Sequence, residues 1–232
     1  MVTKYLRFIV CPLIFAVLTL GNGLFLKAVF AEVNEPKSLD TVEIKNYEGK
    51  DLSSINDFME NSIKGPQHID IKTYRLKITG LVEKPSQYTY DDVIQKHQHY
   101  RKVVKLDCVE GWSVTILWEG ILVKDLIKEA TPLSKAKVII FHAYDGYTTS
   151  FPLDYIIKNN IMMAYRMNNL VIPPERGFPF ELVAESKWGY KWIKWITEIE
   201  LSDDVNYKGY WESMGYSNSG NLNEGFFDEG TK

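Results

Sequence analysis

The sequence predicts an α+β fold in which mixed β-sheets are interspersed with scattered short helices. Three observations lead there. Short segments with strand character recur along the chain, each bounded by Gly, Pro, Asn or Asp. Helical periodicity is confined to a few brief stretches. The two patterns do not alternate in the regular strand–helix–strand rhythm that a parallel α/β sheet needs.

In chain order, Thr41–Tyr47 alternates apolar and polar residues before a turn at Glu48-Gly49-Lys50. Asp51–Lys64 reads as a short helix or two turns, ending at Gly65-Pro66. Thr73–Gly80 is the cleanest early strand, with Tyr74, Leu76 and Ile78 on one face. Glu83–Ser86 turns the chain, and Thr89 with Asp92 three residues on forms a capping-box pattern for a helix through about His97. A strand over Tyr100–Asp107 delivers Cys108 at its end, and Ile121–Ala130 has helical spacing up to Thr131-Pro132. Lys137–Ala143 is a buried-type strand, Phe151–Asn159 a helix with Pro152 near its start, and Ile161–Tyr165 a short strand before Met167-Asn168-Asn169. After the rigid stretch Pro173–Pro179 come a short strand at Phe180–Ala184, a basic aromatic loop at Ser186–Lys191, and a closing strand over Ile193–Leu201. The remaining residues carry Tyr207, Tyr210, Trp211 and Tyr216 among Gly, Ser and Asn, and are expected to wrap the surface.

With 232 residues, 45% of them hydrophobic, the chain can bury a sizeable core. The first thirty residues differ in kind. Lys4 and Arg7 precede an uncharged, mostly apolar run from Phe8 to Leu26, and Val29-Phe30-Ala31 offers a cleavage site. This is read as a signal peptide or an N-terminal membrane anchor over 1–31. Both readings export the rest of the chain, to a periplasmic or other extracytoplasmic compartment. Residues 32–69 are then a tether and N-terminal extension, 70–202 the core, and 203–232 a C-terminal wrapping tail. Net charge is −3, and residues 32–232 without Lys4, Arg7 and Lys27 carry −6. A mildly acidic globule argues against nucleic acid as a partner.

Cys108 is the one cysteine outside the apolar N-terminal segment. Cysteines in exported proteins usually come in pairs, so a solitary one is either buried or held for a purpose. Three readings are open from the residues: a packed core thiol, a nucleophile, or a single-thiolate metal ligand. A nucleophile wants a histidine beside it, and His68, His97, His99 and His142 are available without any being placed there by spacing. Zinc motifs of the CxxC or HExxH kind are absent, and His97 and His99 read as ordinary surface residues. In the basic loop Lys187–Lys194, three lysines and the backbone around Gly189 suit an anionic group, with a merely solvated loop as the plainer reading. Trp112, Trp188, Tyr210, Trp211 and Tyr216 are candidates for an aromatic rim, or equally for packing.

Two blocks taken together carry a resemblance. Cys108-Val109-Glu110-Gly111-Trp112-Ser113 followed by Trp118-Glu119-Gly120 resembles the metal-binding segment of the sulfite oxidase-like molybdopterin-binding oxidoreductases. Pro173–Pro179 through Leu182-Val183 to Lys187–Trp195 is similar to that family's pterin-binding loop. The likeness covers roughly residues 70–202 and is nearest to stand-alone catalytic members such as the catalytic subunits of periplasmic methionine-sulfoxide reductase. It implies a sulfite oxidase-type fold and a molybdenum–molybdopterin cofactor, with the Cys108 thiolate on the metal. A soft thiolate suits such a metal, and the cofactor's own sulfurs would complete the set. Gly189, Tyr190 and Lys191 match positions that contact the pterin and its terminal phosphate. Lys194 matches a second lysine there, and Arg176 a polar position on the cofactor. Glu181 departs from the pattern, standing where many members have a phosphate-holding arginine, and Ala143 replaces a hydroxyl residue of some relatives.

The implied reaction is oxygen-atom transfer on a small S- or N-oxide or a sulfite-like substrate. No haem-attachment or iron–sulfur cysteine pattern is present, so electrons would pass to or from a separate partner, a haem membrane subunit or a soluble redox protein. The competing expectations are a degenerate member that binds molybdopterin or a protein partner without turnover, and a thiol hydrolase.

Overall fold

The computed structural model describes residues 42–228. The expected signal or anchor over 1–31 lies outside the described residues, as do 32–41 and the final four residues of the tail. Among the described residues, no helix is long and apolar enough to cross a membrane.

Two five-stranded sheets and a small hairpin form the scaffold. The hairpin joins β1 (Asn46–Tyr47) to β2 (Lys50–Asp51) through Glu48 and Gly49, both at positive φ as a two-residue turn requires. The first sheet has the order β4-β3-β12-β7-β8. Its central strand β12 (Ile196–Ser202) runs parallel to β3 (Leu76–Gly80) and antiparallel to β7 (Val138–Ala143). β4 (Ser86–Tyr88) and β8 (Thr148–Pro152) flank them. The second sheet has the order β10-β9-β6-β5, built from β5 (Tyr100–Asp107), β6 (Ser113–Leu122), β9 (Met162–Met167) and β10 (Leu170–Val171). β11 (Glu181–Val183) also pairs with β9. With only three α-helices among the described residues, the architecture is the expected α+β class with mixed sheets.

The helices form where local signals put them. Helix α1 (Tyr90–Lys96) is closed by a complete capping box: the Thr89 side chain accepts from the Asp92 amide at 3.1 Å, and the Asp92 carboxylate accepts from the Thr89 amide at 3.0 Å. Helix α2 (Val123–Ala130) buries Val123, Leu126, Ile127 and Ala130 on one face and stops at Thr131 in the left-handed region. Helix α3 (Leu153–Lys158) starts directly after Pro152.

Several expectations change. β6 and β8 are strands that the sequence pattern did not isolate, because β6 is buried on both faces from Ile116 to Leu122 and has no alternation to show. Asp51–Lys64 folds as turns without a helix. Its backbone donors are taken elsewhere: the Leu52 amide by Lys45 O, the Ser53 amide by Thr115 O, the Ser54 amide by the Asp57 carboxylate. The closing strand begins at Ile196, not Ile193, since Trp195 has φ +54 and the ladder shifts register between Ile196 and Glu198. His97 is buried, its Nδ1 2.8 Å from Val93 O. The tail wraps the domain but also drives Glu212 fully into its interior.

The segment 42–69, read as tether and extension, packs against the second sheet in its described part. Leu52 is buried, and Asn168 Nδ2 donates to Glu43 at 3.1 Å and to Ser53 O at 2.8 Å. The chain crosses between the sheets through residues 184–195, and that crossing passes the end of β5.

Candidate active site

Cys108 sits at the tip of the β5–β6 hairpin. The Cys108 amide donates to Trp112 O at 2.9 Å and the Gly111 amide to Cys108 O at 3.1 Å, which leaves a three-residue loop closed by Gly111 at φ +87. The hairpin fixes the sulfur at the end of a rigid ladder. The crossing segment then pairs with it through a parallel bridge between Asp107 and Trp188. Gly189 lies so close that a Cβ there would stand 3.4 Å from Cys108 Cα and from Asp107 O. The two sequence blocks, about eighty residues apart, thus meet backbone to backbone.

Between them is a cavity of about 260 Å³ lined by Cys108, Arg176, Gly189, Tyr190 and Lys194. Five of the six residues singled out in the sequence therefore share one site. Lys191 does not join them. Its ammonium is wholly buried elsewhere, donating to Glu212 at 2.6 Å, Ser150 O at 2.8 Å and Asn218 O at 3.1 Å. Lys191, which the resemblance matches to a position contacting the pterin and its terminal phosphate, here has its charge paired inside the protein with a residue of the tail.

Around the sulfur the surroundings are acidic and aromatic. Cys108 is 8% exposed, and its Sγ lies 3.7 Å from Glu110 Oε2. Glu110 is held from two sides, by Trp112 Nε1 and Asn61 Nδ2, each at 3.1 Å. Burial pushes the thiol pKa up, and the negative charge of Glu110 adds to this. Trp112, Trp211 and Tyr216 line the cavity from the expected rim, whereas Trp188 and Tyr210 do not. Tyr147 lines it too, and its hydroxyl donates to Tyr190 O.

Among the described residues no histidine lines this cavity. His68 lines a separate groove, His97 and His99 bond to carbonyls of α1, and His142 Nε2 is 2.8 Å from Glu200. A thiol nucleophile without a base is a poor catalyst, so the hydrolase reading loses its footing.

Sequence reasoning missed the segment Phe58–Ile63, which supplies Phe58, Met59, Asn61, Ser62 and Ile63 to the cavity wall. It is strapped down by the two cations of the site. Arg176 donates to Ile55 O at 3.2 Å and Phe58 O at 3.0 Å with its guanidinium over the Phe58 ring, and Lys194 meets Glu60 at 3.1 Å. No pattern in 51–64 signals this, because the two straps hold Ile55 O, Phe58 O and the Glu60 carboxylate from residues more than a hundred positions away. Glu181, on β11, is 3% exposed and also faces the cavity. Burial pushes its pKa up to about 8, against the opposing pull of Lys194 and Arg176.

The oxidoreductase molybdopterin binding domain family matches residues 63–211, spanning both blocks and the cavity. The chain belongs to this family. It is a molybdopterin-dependent oxidoreductase, with molybdenum–molybdopterin as its cofactor. It is 32% identical over 152 residues to the uncharacterized oxidoreductase YuiH of Bacillus subtilis, covering 65% of this chain and 76% of YuiH. Against the protein-methionine-sulfoxide reductase catalytic subunit MsrP of Pseudomonas syringae pv. tomato it is 28% identical over 188 residues, covering 71% of this chain and 56% of MsrP. The chain thus spans little more than half the length of that relative. The sulfane dehydrogenase SoxCD of Paracoccus pantotrophus has the same fold, with a TM-score of 0.61 at 22% identity, covering 69% of this chain and 44% of that one.

The residues present fit the cofactor. One soft sulfur, with no second Cys or His from the described residues in the cavity, suits a metal whose other ligands come with the cofactor, and Arg176 and Lys194 bring positive charge to the same space. The carboxyl groups of Glu181, Glu110 and Asp145 in the same lining are elements that a phosphate would not choose.

Proposed function

We propose that this molybdopterin-dependent oxidoreductase is exported, holds molybdenum through the Cys108 thiolate, and removes an oxygen atom from a small neutral S- or N-oxide. The observation that carries the reading is the carboxylate of Glu110, 3.7 Å from the sulfur and fixed by Trp112 and Asn61. A dianion such as sulfite approaching that sulfur meets the negative charge of Glu110, a repulsion that the exposure of Glu110 to solvent partly screens. A neutral oxide meets none, and Phe58, Trp112, Tyr147, Trp211 and Tyr216 offer it apolar walls.

The cofactor, when bound, supplies two-electron oxygen-atom transfer. The chain's residues do the rest. Cys108 holds the metal on a hairpin that cannot slide in register. Gly189 and Tyr190 support the pterin side, and Arg176 and Lys194 balance the charge of its anionic end. The aromatic walls and the 58–63 segment exclude water. Reduction of an oxide consumes two electrons and two protons and releases water, so an electron donor is required. The sequence has no haem or iron–sulfur attachment pattern of its own, which supports delivery by a separate haem membrane subunit or soluble redox protein. The basic and apolar start of the chain supports export.

The test is to produce the chain with cofactor supply and measure molybdenum, pterin and turnover. Wild type should hold one molybdenum per chain and reduce S-oxides with an artificial electron donor, and Cys108→Ser should lose the metal while keeping its fold. Full molybdenum in Cys108→Ser would sink the ligand assignment. Faster oxidation of sulfite than reduction of any S- or N-oxide would sink the substrate class. Bound cofactor with no turnover would favour a purely binding member of the family.

A further inference from the structure

We propose that Glu181 binds the anionic end of the cofactor as a neutral carboxylic acid, donating its O–H to a phosphate oxygen while Arg176 and Lys194 supply the positive charge. This rests on the reading that the cofactor occupies the Cys108 cavity.

The geometry carries the assignment. Glu181 is 3% exposed and lines the cavity, and its Oε2 is buried with no hydrogen-bond partner among the described residues. Leaving a buried polar atom unpaired is costly, and native proteins rarely do so without a ligand or functional reason. The two nearby cations do not pair with it. Arg176 spends its donors on Ile55 O and Phe58 O, and Lys194 on Glu60 and Glu175 O. Gly177 keeps Glu181 and Lys194 apart yet close, since a Cβ there would stand 3.2 Å from the Cβ of each.

A buried carboxyl without an ion pair is disfavoured in its charged form. Burial dominates here and raises the pKa to about 8. The charged groups facing Glu181 are Lys194 and Arg176, and Glu60 and Glu175 act on it only through those cations. Cys108, Glu110, Asp145 and Tyr147 line other walls of the same cavity. A neutral acid has one hydrogen to give. Beside two cations, the acceptor that completes the charge balance is an oxyanion. This resolves the departure at Glu181: protonated, it replaces an arginine's hydrogen bond but not its charge, and the charge comes from its neighbours.

The same orphan oxygen, if ionised, would instead accept from N–H groups of the pterin ring, and pH separates the two. The experiment loads the full chain with cofactor during expression, dialyses it from pH ~6 to ~9.5, and follows pterin and molybdenum retained per chain. Wild type should hold its cofactor below about pH 8 and release it at least ~10-fold faster one unit above, as the acid ionises against the phosphate. Glu181→Gln, which keeps a donor and cannot ionise, should retain cofactor with no such break, and Glu181→Arg should retain it at least as well. Parallel pH profiles for wild type and Glu181→Gln overturn the proposal, and so does retention that improves with rising pH. A wild-type chain without pterin at every pH overturns the cofactor reading, and this assignment with it.

Discussion

Lys191 and Glu212 form an ion pair with both side chains completely buried, at 2.6 Å. Burial lowers the lysine's pKa, and the carboxylate opposes that loss. Such a pair is worth little against a well-packed apolar replacement, but breaking it strands a charge. Lys191→Met should therefore cost about 3–5 kcal/mol of stability in urea unfolding, and Lys191→Met with Glu212→Met together should recover most of it. A lysine that served the phosphate would behave otherwise, with lower pterin content and unchanged stability. This is also where the sequence was least legible. Cys108, Arg176, Gly189, Tyr190 and Lys194 could be assigned to one site because their blocks match a family pattern in order and spacing. The destination of Lys191 depends on a partner 21 residues later, at the start of a single 3-10 turn (Glu212–Met214) that no sequence pattern marks.

At the scale of elements, local chemistry decided what could be read. Helix α1 was visible because Thr89 and Asp92 cap it reciprocally, and β3 and β5 because their strand patterns are local. Strand β6 was hidden because burial on both faces erases the period of two, although Gly111 after a strand is a hairpin signal. The two glycines of the β5–β6 hairpin act differently. Gly111 has φ +87 and nothing within 4 Å of a Cβ, so Gly111→Ala should cost only the left-handed penalty of about 1–2 kcal/mol. At Gly120 a Cβ would fall 2.3 Å from Met163 O and 2.7 Å from Ala164 Cα, at the point where the β6–β9 register shifts. Gly120→Ala should cost at least the upper part of the ~1–3 kcal/mol range for overpacking, because the obstructing atoms are backbone and cannot swing aside. Thermal unfolding of the two variants checks the order, and equal losses would contradict it.

For the whole molecule, the site is made by long-range closure that no short stretch announces. The 58–63 segment, the crossing segment 184–195 and the tail converge on one hairpin tip, and the charges that strap them together also set how stability responds to pH. Glu181 has its folded-state pKa raised from 4.5 to about 8. Its protonated form fits the fold, so that contribution is intact below about pH 4.5 and is lost as pH climbs through about 8. Between those values the cofactor-free chain should lose stability with rising pH, with a slope approaching but not exceeding about 1.4 kcal/mol per unit. Lys187 acts in the next window with the opposite sign. Burial lowers its pKa from 10.5 to about 8, with Lys191 adding to the effect, so the folded state prefers it neutral and its penalty is relieved as pH rises from about 8 towards 10.5. Urea midpoints of the cofactor-free chain should fall towards a minimum near pH 8. Glu181→Gln should abolish the descending limb and leave the Lys187 window untouched. A descending limb of equal slope in Glu181→Gln would mean that some other group carries the titration, and that the orphan carboxyl in the cavity is ionised throughout.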